Sequence, residues 1–280
     1  MKRRDFMNLS LASVWAARAA PAVRQASDRV LLGPMKVPVT RLAVGTGTNG
    51  VGGSSNQTRK LGLRGLAELL EAACDRGICF WDSADQYGTH PHLRYALKRV
   101  PRDKVAILTK TRAATEAEMR ADLDRFRREL GTDYIDVLLL HCMTQADWPE
   151  RMKPVMDVIA EARERGIVRT HGISSHSLQA LSAAAAHPWA QVVLARINPA
   201  GLAMDGPPDA VVPLLRQIRA AGKGVIGMKI LGVGRLRSRV DECLRFALSL
   251  DCLDCFTIGC ENRDELEDLA ARIPRLSAAA

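Results

Sequence analysis

Eight short apolar runs, each followed by a stretch with helical spacing, constrain this 280-residue chain more than any other feature. The runs lie at 42–48, 78–84, 105–111, 134–141, 167–175, 191–198, 224–231 and 255–260. They are rich in Val and Ile and carry little alternation, the pattern of parallel strands buried on both faces. Between them come LRGLAELLEAACDRG, EAEMRADLDRFRREL, MKPVMDVIAEARERG and DAVVPLLRQIRAAGKG. Several of these close in glycine, which takes the left-handed conformation past a helix end without a Cβ clash. Eight strand-helix repeats predict an α/β fold, a closed (β/α)8 TIM barrel in a single domain. The alternative is a doubly wound open sheet, which usually carries G-x-G-x-x-G between its first strand and helix. GTGTNGVGG at 45–53 is glycine-rich, but the helical pattern resumes too late after it for that turn. Ahead of the first repeat, RVLLGPMKVPVTRLAVG predicts a hairpin, and no Pro/Gly/Ser-rich linker divides the chain.

In such a barrel the reactive side chains sit at the C-terminal ends of the strands. Reading those ends in order gives Asp82 and Tyr87 after the second strand, Lys110 at the end of the third and His141 at the end of the fourth. Taken alone, Asp82 is equally well read as a helix cap and Tyr87 as loop packing. A carboxylate at the mouth of a buried strand is costly without a partner, and Lys110 supplies one. An ammonium beside a phenol favours its ionised form, so Lys110, held charged by Asp82, is expected to lower the Tyr87 pKa and make it a usable proton donor. His141 can hydrogen-bond a carbonyl oxygen and fix its orientation.

These residues carry a family resemblance. GICFWDSADQYG resembles the Gly-x4-Asp-x-Ala-x2-Tyr-Gly signature of the aldo-keto reductases, LTKT their catalytic-lysine strand and TDYIDVLLLH their catalytic-histidine strand. GIVRTHGISSH resembles the segment that usually reads Gly-Val-Ser-Asn, and FTIGCENRDELEDL the last strand and adenosine-binding helix. The similarity runs in order over residues 30–272. It implies an oxidoreductase that reduces an aldehyde or ketone by hydride transfer from NADP(H) or NAD(H), acting on a small-molecule carbonyl substrate. Tyr87 is then the proton donor, Lys110 and Asp82 tune it, and His141 orients the carbonyl. Gly47, Thr48 and Asn49 lie along the cofactor, Ser174 and Ser175 at its carboxamide, Met228, Lys229, Gly232 and Gly234 under the nicotinamide and pyrophosphate, and Asn262 and Arg263 at the adenosine end. Ser175 stands where Asn is common, and Met228 near the usual stacking aromatic.

Binding of a 2′-phosphate needs a cation near the last strand, and Arg263 is offered there beside the repelling Glu261. The family's habit favours NADP. PRLSAAA after EDLAARI is short for a pocket-closing tail, so the substrate pocket is expected to be open and lined by CMTQADWPE. Trp148 there either packs on a substrate or covers the barrel rim, and Lys229 is either a pocket residue or an exposed rim lysine.

The net charge of +9 is spread along helical segments, with no basic tract interleaved with aromatics, so nucleic acid is not an expected partner. Cys252, Cys255 and Cys260 have the spacing of a partial metal or iron-sulfur motif, but no fourth ligand is near, and buried structural thiols are the preferred reading. At the N-terminus Arg3, Arg4 and Phe6, an apolar stretch to Ala17, and Ala19, Ala20 and Ala22 resemble a twin-arginine export signal over residues 1–22. That predicts an export receptor as partner and a periplasmic or exported protein, cytoplasmic if the signal is not used. The apolar stretch is too short for a stable membrane anchor. Two other functions compete with reduction: a lyase using Lys110 or Lys229 as a Schiff-base amine, and a nicotinamide-binding sensor without turnover.

Overall fold

The computed structural model of the protein describes residues 23–277. The export signal expected over 1–22 lies outside the described residues. A hairpin comes first, β1 (Arg29–Leu32) pairing antiparallel with β2 (Val37–Thr40). Eight parallel strands follow: β3 (Leu42–Gly45), β4 (Phe80–Asp82), β5 (Ala106–Thr111), β6 (Ile135–Met143), β7 (Val168–Ser175), β8 (Val192–Arg196), β9 (Gly224–Met228) and β10 (Cys255–Gly259). They pair in sequence order, and β10 returns to β3 with Phe256 opposite Leu42 and Gly259 opposite Gly45, closing the barrel. The open sheet is thereby excluded.

Around the barrel run α1 (Asn56–Asp75), α2 (His90–Ala96), α3 (Glu116–Leu130), α4 (Trp148–Arg151), α5 (Lys153–Glu164), α6 (Leu178–Ala186), α7 (Pro208–Ala220), α8 (Val240–Ser249) and α9 (Arg263–Ser277). Their starts are chemically marked. Ser55 with Thr58 and Thr115 with Glu118 form reciprocal capping boxes that satisfy the orphan amides of α1 and α3. The last helix, α9, continues through Pro274 to Ser277, whose hydroxyl accepts from the Arg24 amide at 2.8 Å.

Two apolar layers hold the fold. Outward-facing Trp81, Ile107, Leu138 and Val193 pack under helix residues such as Leu66, Phe126, Ile159 and Leu215. Inward-facing Phe80, Leu108, Val137, Leu139, Leu194 and Ile226 fill the barrel together with Leu32, Val37 and Val39 of the hairpin, which plugs its lower end. Each such burial contributes about 1.5–3 kcal/mol. Period-two alternation then fixes the upper layer: two residues beyond Phe80, Leu108 and Leu139 on the same inner face come Asp82, Lys110 and His141.

Candidate active site

Lys110 is the hub of the upper layer, only 1% exposed although charged. Its ammonium donates to Asp82 Oδ1 and, at 2.7 Å, to the Ser83 carbonyl. Thr257 donates to the other Asp82 oxygen at 2.9 Å, so the carboxylate is held from two strands. Burial alone would push the Lys110 pKa down, but the Asp82 and Tyr87 charges more than offset it and the group ends above its ordinary value.

Tyr87 closes a 3-10 turn, Asp85–Tyr87, and its ring lies 5.0 Å from Lys110 Nζ. The turn is ended by Gly88 at φ +65°, where a Cβ would stand 2.0 Å from the Gly53 carbonyl oxygen. This explains the Tyr-Gly pair. The phenol departs from the sequence expectation. Burial raises its pKa above the ordinary tyrosine value of 10.0, and the Lys110 charge opposes that rise without reversing it. The group is therefore firmly protonated at neutral pH, the state that donates.

His141 meets Tyr87 edge-on, with ring centroids 5.6 Å apart and planes at 83°. Burial, then Lys110, the neighbouring His176 imidazole, Arg112 and Lys229, depress its pKa to about 2. The imidazole is neutral at any working pH and offers hydrogen bonds, not charge. Its Nδ1 is buried and has no partner among the described residues.

Two cavities flank this pair. The larger, about 440 Å³, runs from Asp82, Tyr87 and Lys110 past Met228 and Lys229 to Glu261, Glu265 and Asp268. The smaller, about 170 Å³, is lined by His141, Cys142, Thr111, Arg112, Gln145 and Trp148. Trp148 is neither a rim residue nor free to swing, being 2% exposed with its indole N–H donating to the Ala180 carbonyl at 3.2 Å.

A profile of the Aldo/keto reductase family matches residues 43–272. The chain belongs to the aldo/keto reductase family. It is 28% identical over 155 residues to aldo-keto reductase YhdN of Bacillus subtilis, a match covering 49% of this chain and 44% of that one. It is 30% identical over 150 residues to an NAD/NADP-dependent indole-3-acetaldehyde reductase of Schizosaccharomyces pombe, covering 51% and 49%. Those matches thus span about half the length of the curated relatives. The fold superposes on an aldo-keto reductase from Klebsiella pneumoniae in complex with NADPH with a TM-score of 0.67, 17% identity and 88% and 90% coverage.

Members of the aldo/keto reductase family use NADP(H) or NAD(H). The larger cavity suits a dinucleotide, since its lining joins the Tyr87 end to the start of α9 and includes Gly45, Gly47 and Gly259, where the absence of side chains leaves room. A Cβ on Gly259 would stand 2.3 Å from Thr48 Oγ1. Thr48 is itself pinned by Gln57, which accepts from its amide at 3.1 Å and donates to its hydroxyl at 2.7 Å. Asn49 lies on the same wall. Between Met228 and Gly234 the backbone takes left-handed φ at Lys229 (+59°), Gly232 (+53°), Val233 (+59°) and Gly234 (+79°), bending it around the cavity.

Other expected contacts are occupied by the protein itself. The Ser174 hydroxyl accepts from the Cys142 amide at 2.8 Å, and Ser175 reaches the Ser177 carbonyl at 2.9 Å and Asp205 at 3.1 Å. Neither serine lines the larger cavity. Asn262 caps α9 by accepting from the Glu265 amide at 2.8 Å, and Arg263 pairs with Glu267 at 3.3 Å. Glu261 is held by Lys60 and, at 2.6 Å, by Asn56, and these contacts, Lys60 foremost, keep its pKa low against burial. The residues missed in the sequence are Thr257, Leu194, Gln57, Arg237, Glu265 and Asp268. Period-two alternation along β8 and β10 marks the first two as inward, and helical spacing from Glu261 marks the last two. The cysteines at 252, 255 and 260 are buried thiols, and burial raises Cys260 to about 12.

Proposed function

We propose that this protein is an NAD(P)H-dependent reductase of aldehydes or ketones, with Tyr87 as proton donor. The observation that carries this reading is the Asp82–Lys110–Tyr87 chain ending beside a neutral imidazole. A nicotinamide held along the larger cavity, between Gly47, Thr48 and Met228, would supply hydride. The carbonyl carbon accepts it while its oxygen, gaining charge, takes a hydrogen bond from His141 and the proton of Tyr87. Leu194 and Met228 give the larger cavity, and Trp148 the smaller one, apolar wall beside the reacting groups. The curated relative that reduces indole-3-acetaldehyde supports an aldehyde as substrate. The Arg3–Arg4 pair and the apolar stretch behind it support export of the protein.

The test is a panel of aldehydes and ketones followed by loss of the reduced-nicotinamide absorbance, with Tyr87→Phe beside wild type. The variant is expected to bind NADPH or NADH as wild type does and to lose at least about a hundredfold in kcat. Near-normal turnover by Tyr87→Phe rejects the assignment, and cofactor binding without turnover by wild type favours the sensor.

A further inference from the structure

Lys110, Lys229 and Arg112 line the two cavities and Arg196 lies near His176; two of these four cations are matched. Lys110 is answered by Asp82, and Arg196 by Asp205, whose oxygen accepts from Arg196 Nε at 2.5 Å. The other two are not. Arg112 donates only to the neutral Gln86 amide at 3.1 Å, and among the described residues neither Arg112 nor Lys229 has a carboxylate within ion-pair distance. Apart from Asp82, which is bonded to Lys110 and Thr257, the acidic groups of the larger cavity, Glu261, Glu265 and Asp268, lie on β10's exit and α9, toward its other end.

Lys229 is also held in place. Its backbone is left-handed at φ +59°, a conformation that costs a non-glycine residue about 1–3 kcal/mol and persists only where the surroundings impose it. They do so here through its carbonyl, which accepts from the Gly232 amide at 2.8 Å and from Asn198 Nδ2 at 3.1 Å. Asn198 is fully buried and is itself fixed by the amides of Ala200 and Leu202, both at 3.1 Å. Lys229 lines the larger cavity with Tyr87 and Lys110, and its charge depresses the pKa of both His141 and His176. Its ammonium is therefore felt on the side of the cavity where the carbonyl reacts.

We propose that Lys229, seconded by Arg112, receives an anionic oxygen group of the substrate, making this enzyme selective for carbonyl compounds that carry a carboxylate or phosphate. Half-buried and with no carboxylate at ion-pair distance, Lys229 has its pKa lowered by burial first and by repulsion from Lys110 next, against a smaller opposing pull from Asp82. An anion at that place relieves both, and a charge-assisted hydrogen bond in a partly desolvated site is about twice as strong as a neutral one. The proposal rests on the reductase reading for the reaction, but not for the binding.

The test compares 4-carboxybenzaldehyde with benzaldehyde, and glyceraldehyde 3-phosphate with glyceraldehyde, on wild type and on Lys229→Met. Wild type is expected to favour the charged member of at least one pair, the two pairs separating carboxylate from phosphate. Lys229→Met is expected to reduce that kcat/KM ratio by about 10- to 100-fold, with Arg112→Met reducing it less. Calorimetric binding of benzoate and of inorganic phosphate to the protein with oxidised nicotinamide needs no turnover, and the anion that is bound is expected to lose affinity in Lys229→Met by a similar factor. Equal loss for charged and neutral aldehydes overturns the proposal. So does a large rise in the cofactor dissociation constant at unchanged selectivity, which would assign Lys229 to the pyrophosphate.

Discussion

Gly47 and Tyr87 share one space: a Cβ on Gly47 would stand 2.1 Å from Tyr87 Cε2. Gly50 bounds the other edge, where a Cβ would meet Cδ1 at 2.3 Å. The glycine-rich stretch after β3 is thus the slot that seats the phenol. Its hydroxyl is aimed by the backbone on both sides of the ring.

Gly47→Ala is therefore expected to push the Tyr87 ring aside without unfolding the barrel. A displacement of about 1 Å at a reacting group costs about a hundredfold in rate. The measurement is kcat beside the thermal midpoint. A kcat within threefold of wild type would mean the ring has room that the geometry denies.

His141 is neutral because it is buried among cations, so it does not titrate in the usual histidine range. The pH profile of carbonyl reduction is expected to be flat between about pH 5 and 8, with no inflection near the free-imidazole value of about 6.5. His141→Gln, which retains a neutral donor at that site, is expected to keep more activity than His141→Ala. An inflection near 6.5 that vanishes in both variants would require a charged imidazole.

What could be read from the chain was whatever depends on periodicity. Asp82, Lys110 and His141 share a layer because strand alternation places them two residues beyond Phe80, Leu108 and Leu139, and apolar runs reveal that alternation's endpoint. The sign of the Tyr87 shift was not readable, since the Lys110 neighbour is visible in sequence while the depth of burial opposing it is a property of the packed site. Ser175 is a similar case: its partner Asp205 sits thirty residues away on the loop after β8, and nothing local announces the contact. Proline usually ends a helix, yet α9 runs through Pro274 with Leu276 and Ser277 buried beyond it, a packing that no local pattern shows.

Stability has a separate anchor at the opposite end of β6. Asp136 is buried, and its carboxylate accepts from the Ile107 amide at 2.9 Å, Arg102 at 2.7 Å and Arg169 at 2.9 Å. Asp136→Ala strands a buried amide and two guanidinium groups. Because Arg102 and Arg169 remain partly hydrated, the cost is expected at about 2–3 kcal/mol, not the full penalty of a buried broken pair. Five residues of strand, about 16 Å, separate it from His141, so activity per folded molecule should hold. An unchanged denaturation midpoint would show that the cluster contributes nothing net.

The electrostatic role of Lys110 is tested by the pH dependence of alcohol oxidation, which needs the Tyr87 phenolate as base. The three largest influences on that phenol are burial, which raises its pKa most, the Lys110 cation, which lowers it next, and the Asp82 carboxylate, which raises it less. Lys110→Met removes the lowering influence and leaves Asp82 uncompensated, so the pKa moves further up and the oxidation midpoint moves to higher pH. At a fixed pH below the midpoint the phenolate fraction falls, and the rate with it. The double variant Lys110→Met/Asp82→Asn also removes the carboxylate, and since the lysine's effect is the larger of the two, its midpoint should fall between wild type and the single variant. The order wild type, double, single is specific to a through-space field on the phenol. A lysine acting only by packing would leave all three midpoints together, and a double variant lying above the single one would reverse the sign assigned to Asp82.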